Sequence, residues 1–407
     1  MSRERLELLY VSLFPPSPAT FGAQRRVEGI LTALSARHRV TCVSFLSPHL
    51  DRAVAERAMR EYCAEVVFVP SRAEWGLGKR LLQLGSLFSR ESSERRFFGS
   101  KVLQRTLDDL LVRRPYDVVT IEAPYLAGYR LRQAPPGAPV PRIVLDEHNI
   151  EHDLAKQSRD ASQSPLRRLH HAVNWRKILR EEIAAWTELD GVTFTSNDDA
   201  ARARALVPGV RAAVIPNAAN VDYFRPRSEL PPPDGRTVLF FGTLNYFPNR
   251  DGVQYLLREI WPILERTHPG ARLKLVGPHP TPEVVAQKGP RIEVAGLVDD
   301  LRPHLAEAAV VVVPLRTGGG TRFKILEAMA MGKPVVSTTL GAEGISATPG
   351  RDILLADDPP SFAAAVGRIL DDSRLGAQLG QAARDLVVAR YSWAAVAREL
   401  ETFLRGL

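Results

Sequence analysis

Residues 310–337 read VVVVPLRTGGGTRFKILEAMAMGKPVVS, and this stretch decides the fold. Four consecutive valines form a strand that is apolar on both faces, and a sheet covered on both sides is what buries such a strand. Pro314 ends the run, and Gly318, Gly319 and Gly320 follow it. Residues 321–331 then carry a helical apolar pattern, which Gly332 and Pro334 stop before the next strand at 334–337. Strand, glycine loop, helix and strand make one βαβ unit of a parallel sheet. The glycines let backbone amides approach a bulky ligand, and the helix points its positive end at the same place. Arg322 and Lys324 add two cations there, where the helix dipole disfavours them unless an anion binds. The loop therefore reads as an anion site, with a plain chain reversal as the alternative. Glu327, one to two turns into the helix, is placed either to accept hydrogen bonds from a ribose diol or to pair with Arg322 or Lys324.

The same unit recurs on both sides of this stretch. Upstream, strands are expected at 8–13, 39–45, 66–69, 118–121, 143–146 and 192–196, with a helix at 24–35. A composition break at 225–235 (RPRSELPPPDG) reads as a linker or an exposed loop. After it the alternation restarts, with strands at 238–242, 273–276, 292–295, 310–313 and 334–337. The expected fold class is α/β, with two doubly wound parallel-sheet (Rossmann-like) domains. Ligands in such sheets bind beyond the carboxyl ends of the strands. Apolar residues at helical spacing in 391–407 point to a final helix that docks back.

The 407 residues exceed one ordinary core, and 45% hydrophobic with 25% charged residues is a globular balance. No apolar run is long enough for a transmembrane helix, and the apolar start at 6–14 contains Glu7 and ends in prolines, which fits a first strand better than a leader. Two cysteines, Cys42 and Cys63, lack metal-ligand spacing and fit a reducing cytoplasm. Lys plus Arg outnumber Asp plus Glu by 54 to 46, for a net charge of +8. Residues 76–99 and 167–180 interleave that charge with apolar residues. Each reads either as a solvated helix face or as a peripheral contact with anionic membrane. Neither belongs to a nucleic-acid-binding module, so no nucleic acid partner is expected.

The stretch 310–337 resembles the donor site of GT-B glycosyltransferases of the family-4 group, those related to exopolysaccharide sugar transferases. Gly242, Thr243 and Asn245, in the run FGTLNYFPN at 241–249, look like the first strand and turn of that group's C-terminal domain. Gly296 and Val298, in GLVDD at 296–300, are similar to its turn over the nucleobase. TTLGAEG at 338–344 and YSW at 391–393 also match in order and spacing. In the first half Gly22 and Arg26 look like the glycine loop that meets acceptor or phosphate, and His148, in DEHN at 146–149, resembles the family's active-site histidine. The resemblance implies an acceptor domain at 1–220, a nucleotide-sugar domain at 221–385 and a helix at 386–407 docking back, the two domains facing a cleft.

It further implies a hexosyltransferase of surface polysaccharide or glycoconjugate biosynthesis. Such an enzyme moves sugar from a nucleoside diphosphate to a glycan or lipid-linked acceptor hydroxyl, with retention. Expected catalytic residues are His148, Arg322 and Lys324. Donor residues are Gly242, Thr243, Asn245, Gly296, Val298, Gly318, Gly319, Gly320, Thr321 and Glu327. No cofactor and no metal are expected, and the location is cytoplasmic, with the inner face of the membrane as a possible station. Two features depart from the pattern. Gly319 stands where many members carry the first glutamate of a Glu-x7-Glu pair, and their Arg and Lys after the first C-domain strand are missing from TLNYFPNRDG. A nucleotide-sugar epimerase and a non-catalytic nucleotide-sugar-binding protein remain open.

Residues 148–152 spell His-x-x-Glu-His, the order of a zinc peptidase, which needs both histidines on one helix face. The strand expected at 143–146 puts His148 on a loop, as a sugar-facing or a structural histidine. Gly76-Leu77-Gly78-Lys79 lacks the earlier glycine and the Ser or Thr of a phosphate loop.

Overall fold

A computed structural model describes residues 4–71, 85–86, 89–160, 165–318 and 320–407. The chain forms two units, Met1–Ile215 with Ala397–Leu407, and Pro216–Val396.

The first unit is built on β1 (Glu7–Ser12), β2 (Arg39–Leu46), β3 (Glu65–Pro70), β4 (Val118–Ile121), β5 (Arg142–Glu147), β6 (Gly191–Phe194) and β7 (Ala212–Val214). They form one seven-stranded sheet in the order β3-β2-β1-β4-β5-β6-β7, with every pairing parallel. The direction of winding reverses between β1 and β4, which opens a crevice beyond their carboxyl ends. Leu9, Val11, Val119 and Ile121 pack with Trp186 and Phe194 in one apolar cluster. Leu8, Ile30 and Leu34 meet Leu400 and Leu404 of the last helix, Trp393–Gly406. Burying both faces in this way is what the unbroken apolar strands demand. The helix Pro165–Glu188 turns Asn174, Glu181 and Glu182 inward. Glu181 accepts from Ser92 N and Oγ at 2.8 and 2.6 Å and Glu182 from Glu151 N and His152 N at 2.6 and 3.0 Å, so this helix caps two others.

The second unit has β8 (Thr237–Phe241), β9 (Arg272–Val276), β10 (Ile292–Gly296), β11 (Val310–Val313), β12 (Val335–Ser337) and β13 (Leu354–Leu355). Their order is β10-β9-β8-β11-β12-β13, again all parallel. Winding reverses between β8 and β11, and both of these strands are buried along their whole length. The proline-rich segment at 225–235 lies inside this unit as a mostly exposed loop. Asp234 closes it by accepting from Arg236 N, Thr237 N and Thr237 Oγ1 at 2.9, 2.7 and 2.6 Å, which fixes the start of β8.

Two strands were not expected from sequence, β7 and β13, and both are edge strands of three and two residues. The helix expected from Thr321 begins at Phe323, with Arg322 extended at its N-cap (φ −83°, ψ 108°). The basic stretch at 76–99 lies largely outside the described residues, and 167–180 falls within the helix Pro165–Glu188, where Leu169 is exposed. No helix among the described residues is long and apolar enough to cross a membrane.

Candidate functional site

In the second unit three neighbouring strands end on glycines with positive φ: Gly242 after β8, Gly277 after β9 and Gly296 closing β10 (φ 140°, 146° and 70°). Gly242 N donates to Val276 O at 2.9 Å, and Gly277 N to Gly296 O at 2.7 Å. A Cβ on Gly277 would lie 2.0 Å from Gly242 O, so the two backbones touch with no room for a side chain. The strand ends are drawn together into a shelf of bare backbone at the reversal point beside β11.

Lys324, in the first turn of the helix Phe323–Ala330, reaches over this shelf. Its Nζ comes within 3.0 Å of where a Gly242 Cβ would stand and 4.2 Å from the centroid of the Phe240 ring. It donates to Asn249 Oδ1 at 2.7 Å, while Asn249 Nδ2 donates to Thr243 O at 2.9 Å and so fixes the amide's orientation. Burial, reinforced by the neighbouring Arg322, pushes the Lys324 ammonium down to about 7. Arg322 is lowered too, chiefly by burial, and its guanidinium lies 3.2 Å from the position of a Gly318 Cβ. Glu343 and Glu327 are the carboxylates whose charge reaches Arg322 and Lys324, respectively. Thr321 is buried, and its carbonyl accepts from Asn217 Nδ2 at 3.2 Å.

Of the expected site residues, the fold thus brings the donor residues Gly242 and Gly318 and the catalytic candidates Arg322 and Lys324 to the β8/β11 end, with Glu327 buried behind them in the same helix. Thr243 and Asn245 are exposed in the turn after β8, and Gly320 (φ 74°) and Thr321 lead into the helix. Gly296 ends β10, which two strands separate from β11, and Val298 is half-buried beyond it. Gly319 lies outside the described residues. Sequence reasoning missed Asn249, Phe240 and Gly277; the signal for Gly277 was there, since all three strands run directly into a glycine.

The first unit gathers its own polar cluster at the ends of β1, β4 and β5. Asp146 accepts from Arg26 Nη2 at 2.6 Å, from Tyr10 Oη at 2.9 Å and from Thr193 Oγ1 at 2.8 Å. His148 Nε2 lies 3.1 Å from Asp146 Oδ2, and its Nδ1 lies 3.8 Å from Glu122 Oε1. Burial alone would raise the Asp146 carboxyl, but Arg26 and His148 hold it well below the usual range. Glu122 goes the other way: burial raises it, although Ser12 Oγ and Leu13 N donate to it.

Arg26, which the resemblance set beside acceptor or phosphate, lies in the helix Gly22–Ser35, as the helix expected at 24–35 implies; it is fully buried, with Nη1 donating to Ile215 O at 2.8 Å. Gly22 is that helix's first residue. His148 follows β5 on a bend, before the helix Glu151–Asp160. His152, by contrast, turns its Nδ1 to Glu182 Oε2 at 2.5 Å. The two histidines of the zinc-like motif thus serve different carboxylates, and no group of three metal-ligating side chains occurs among the described residues.

Comparison with known proteins gives the family. The model of "Glycosyl transferases group 1" matches residues 235–372, the part that holds the glycine shelf and Lys324. The GDP-mannose-dependent alpha-(1-6)-phosphatidylinositol monomannoside mannosyltransferase of Mycobacterium tuberculosis (strain CDC 1551 / Oshkosh) is 30% identical over 336 residues, 70% of this chain and 86% of that one. Among solved structures, the sucrose-phosphate synthase of Thermosynechococcus elongatus superposes with a TM-score of 0.69 at 20% identity, covering 98% of each chain. Anabaena HepE, solved with UDP and glucose, gives a TM-score of 0.64 at 15% identity over 99% of this chain and 100% of that one. The chain belongs to the group 1 glycosyl transferases and is a glycosyltransferase of the hexosyl-transferring kind on the GT-B fold.

Proposed function

We propose that the protein transfers a hexose from a nucleoside-diphosphate sugar to a hydroxyl of a glycan or lipid-linked acceptor in surface polysaccharide or glycoconjugate synthesis. The observation that carries this reading is Lys324 on the glycine shelf, a cation over bare backbone with an arginine beside it at a helix N-terminus. A departing diphosphate is the largest charge change in glycosyl transfer, and preorganised donors at a water-poor site stabilise it best. Arg322, Lys324 and the amides around Gly320 and Thr321 supply those donors, so the reaction runs without a bound metal and persists in a chelator. Glu327 takes the ribose hydroxyls, Gly296 and Val298 border the base, and Gly242, Thr243 and Asn245 border the sugar.

The acceptor belongs to the first unit, where His148 is the sugar-facing histidine. Retention of configuration is what the family resemblance implies. GDP-mannose is the first donor to test, because the mycobacterial relative uses it, and an inositol lipid is the first acceptor for the same reason. Work at the cytoplasmic membrane face fits a lipid acceptor, and loss of binding to anionic liposomes at low salt would remove that part.

The test is transfer from a panel of nucleotide sugars, followed by mass spectrometry and by NMR of the product's anomeric centre. The Arg322→Ala, Lys324→Ala double variant is expected to lose transfer by about a thousandfold, two charge-assisted contacts at roughly 2 kcal/mol each. Wild-type transfer by that variant would overturn the diphosphate site. Donor turnover without any acceptor would replace transfer by epimerisation.

A further inference from the structure

Lys324 is held on terms that suit an amine better than a permanent ammonium. An ammonium has three protons to donate, and among the described residues Asn249 Oδ1 is the one hydrogen-bond acceptor it reaches. Asn249 cannot turn away, because its amide group is tied to Thr243 O, and it carries no charge. The groups packed on Lys324 from other elements are Phe240 of β8 and Asn249 of the helix Phe247–Tyr255, and neither titrates. The charged groups acting on it belong to its own segment, Arg322 opposing its charge and Glu327 favouring it. No carboxylate lies within ion-pair distance of Nζ among the described residues. Protonation at this place is unfavourable until an anion arrives.

Resting on the donor-site reading above, we propose that a nucleotide sugar binds with uptake of one proton from solvent at Lys324, with Asn249 as the residue that positions its Nζ. In the ligand-free protein the amine donates one N–H to Asn249 and keeps its lone pair. When the diphosphate enters, the lone pair takes a proton, and the resulting ammonium offers its two further N–H groups to phosphate oxygens. The low value of about 7 for the ligand-free side chain is in keeping with this exchange. One proton taken up per ligand means that affinity falls as pH rises, by about tenfold per pH unit above ~7 until the bound ammonium itself titrates.

The experiment is isothermal titration of GDP-mannose, and separately UDP-glucose, into the full chain at about pH 8, in buffers of different ionisation enthalpy. Both phosphates of these ligands are esterified, so the ligand itself does not titrate near neutrality. The dependence of heat on buffer is expected to give an uptake of roughly one proton in the wild type. Lys324→Arg is charged at every pH and is expected to bind with no uptake. Asn249→Asp supplies a carboxylate that keeps Lys324 protonated beforehand, and it is expected to lose the uptake as well. Binding by the wild type without buffer-dependent heat would overturn the proposal and leave the donor site standing. The same uptake in Lys324→Arg would assign the proton elsewhere. Heat with neither nucleotide sugar would sink the donor-site reading itself, and the proton uptake with it.

Discussion

Both sheets end in a cation beside their reversal point, Arg26 fully buried and Lys324 half-buried, and the two are held on opposite terms. In the first unit Arg26 meets Asp146 directly, with Tyr10, Thr193 and His148 filling the carboxylate's remaining positions. In the second unit Lys324 meets a neutral amide and an aromatic face. The first arrangement is complete in itself, and its strong pairing holds Asp146 ionised against burial. The second is complete only with an anion, and burial lowers Lys324 for want of one. The same architecture thus yields an ion pair at one sheet and, in the function proposed above, a ligand site at the other. Charge satisfaction separates them as well as burial does.

The comparison breaks most visibly at Arg26. Arg26→Met keeps the volume and removes the partner of a buried carboxylate, which is expected to cost about 3–5 kcal/mol of stability in urea denaturation. A loss below ~1 kcal/mol would mean that Asp146 takes up a proton at little cost, and that the pair is not what holds these strand ends together.

A smaller effect is expected at the glycine shelf. Gly277→Ala would drive a Cβ into Gly242 O at a φ of 146°. The expected cost is about 1–3 kcal/mol of stability from backbone strain. Because the displaced atom belongs to Gly242, which lies under Lys324, donor affinity should weaken along with stability. Thermal unfolding with and without GDP-mannose measures both. Unchanged affinity at reduced stability would detach the shelf from the site.

How much of this was legible in the sequence follows from what each residue contacts. The fold was readable because valine runs such as Val310–Val313 show two-sided burial without reference to any neighbour. The β7 and β13 strands left no such signal, since three- and two-residue edge strands need no apolar run. Arg322 and Lys324 were found because a cation at a helix start violates a local rule. Asn249 and Phe240 were not, since 75 residues separate Asn249 from Lys324 and the fold alone, through the β8–β11 pairing, brings them together. The pairing of Arg26 with Asp146 was hidden for the same reason, since 120 residues separate the two. A sequence shows a charge, but the fold decides whether that charge is already answered.

The smallest expected effect is also the sharpest, because it differs in sign. Lys324→Met removes a cation with no carboxylate partner and leaves its apolar stem on Phe240. The ligand-free protein is expected to gain about 1 kcal/mol near pH 7, where Arg26→Met loses several. The pH dependence follows from linkage. Folded Lys324 titrates at about 7, whereas an unfolded lysine titrates near 10.4. Between those values the unfolded chain holds the proton and the folded chain does not, so wild-type stability rises with pH across the window and the lysine's cost is full below it. Lys333, lowered to about 8 by burial, adds a rise of the same sign in both proteins. The difference between wild type and variant therefore isolates Lys324. Urea denaturation from about pH 6 to 10 should show the variant's advantage flat below ~7, then falling and changing sign as pH increases. An advantage that stays constant, or a variant less stable than wild type at pH 7, would mean that Lys324 already has its counter-charge in the ligand-free protein. The contrast between the two sheets would then disappear.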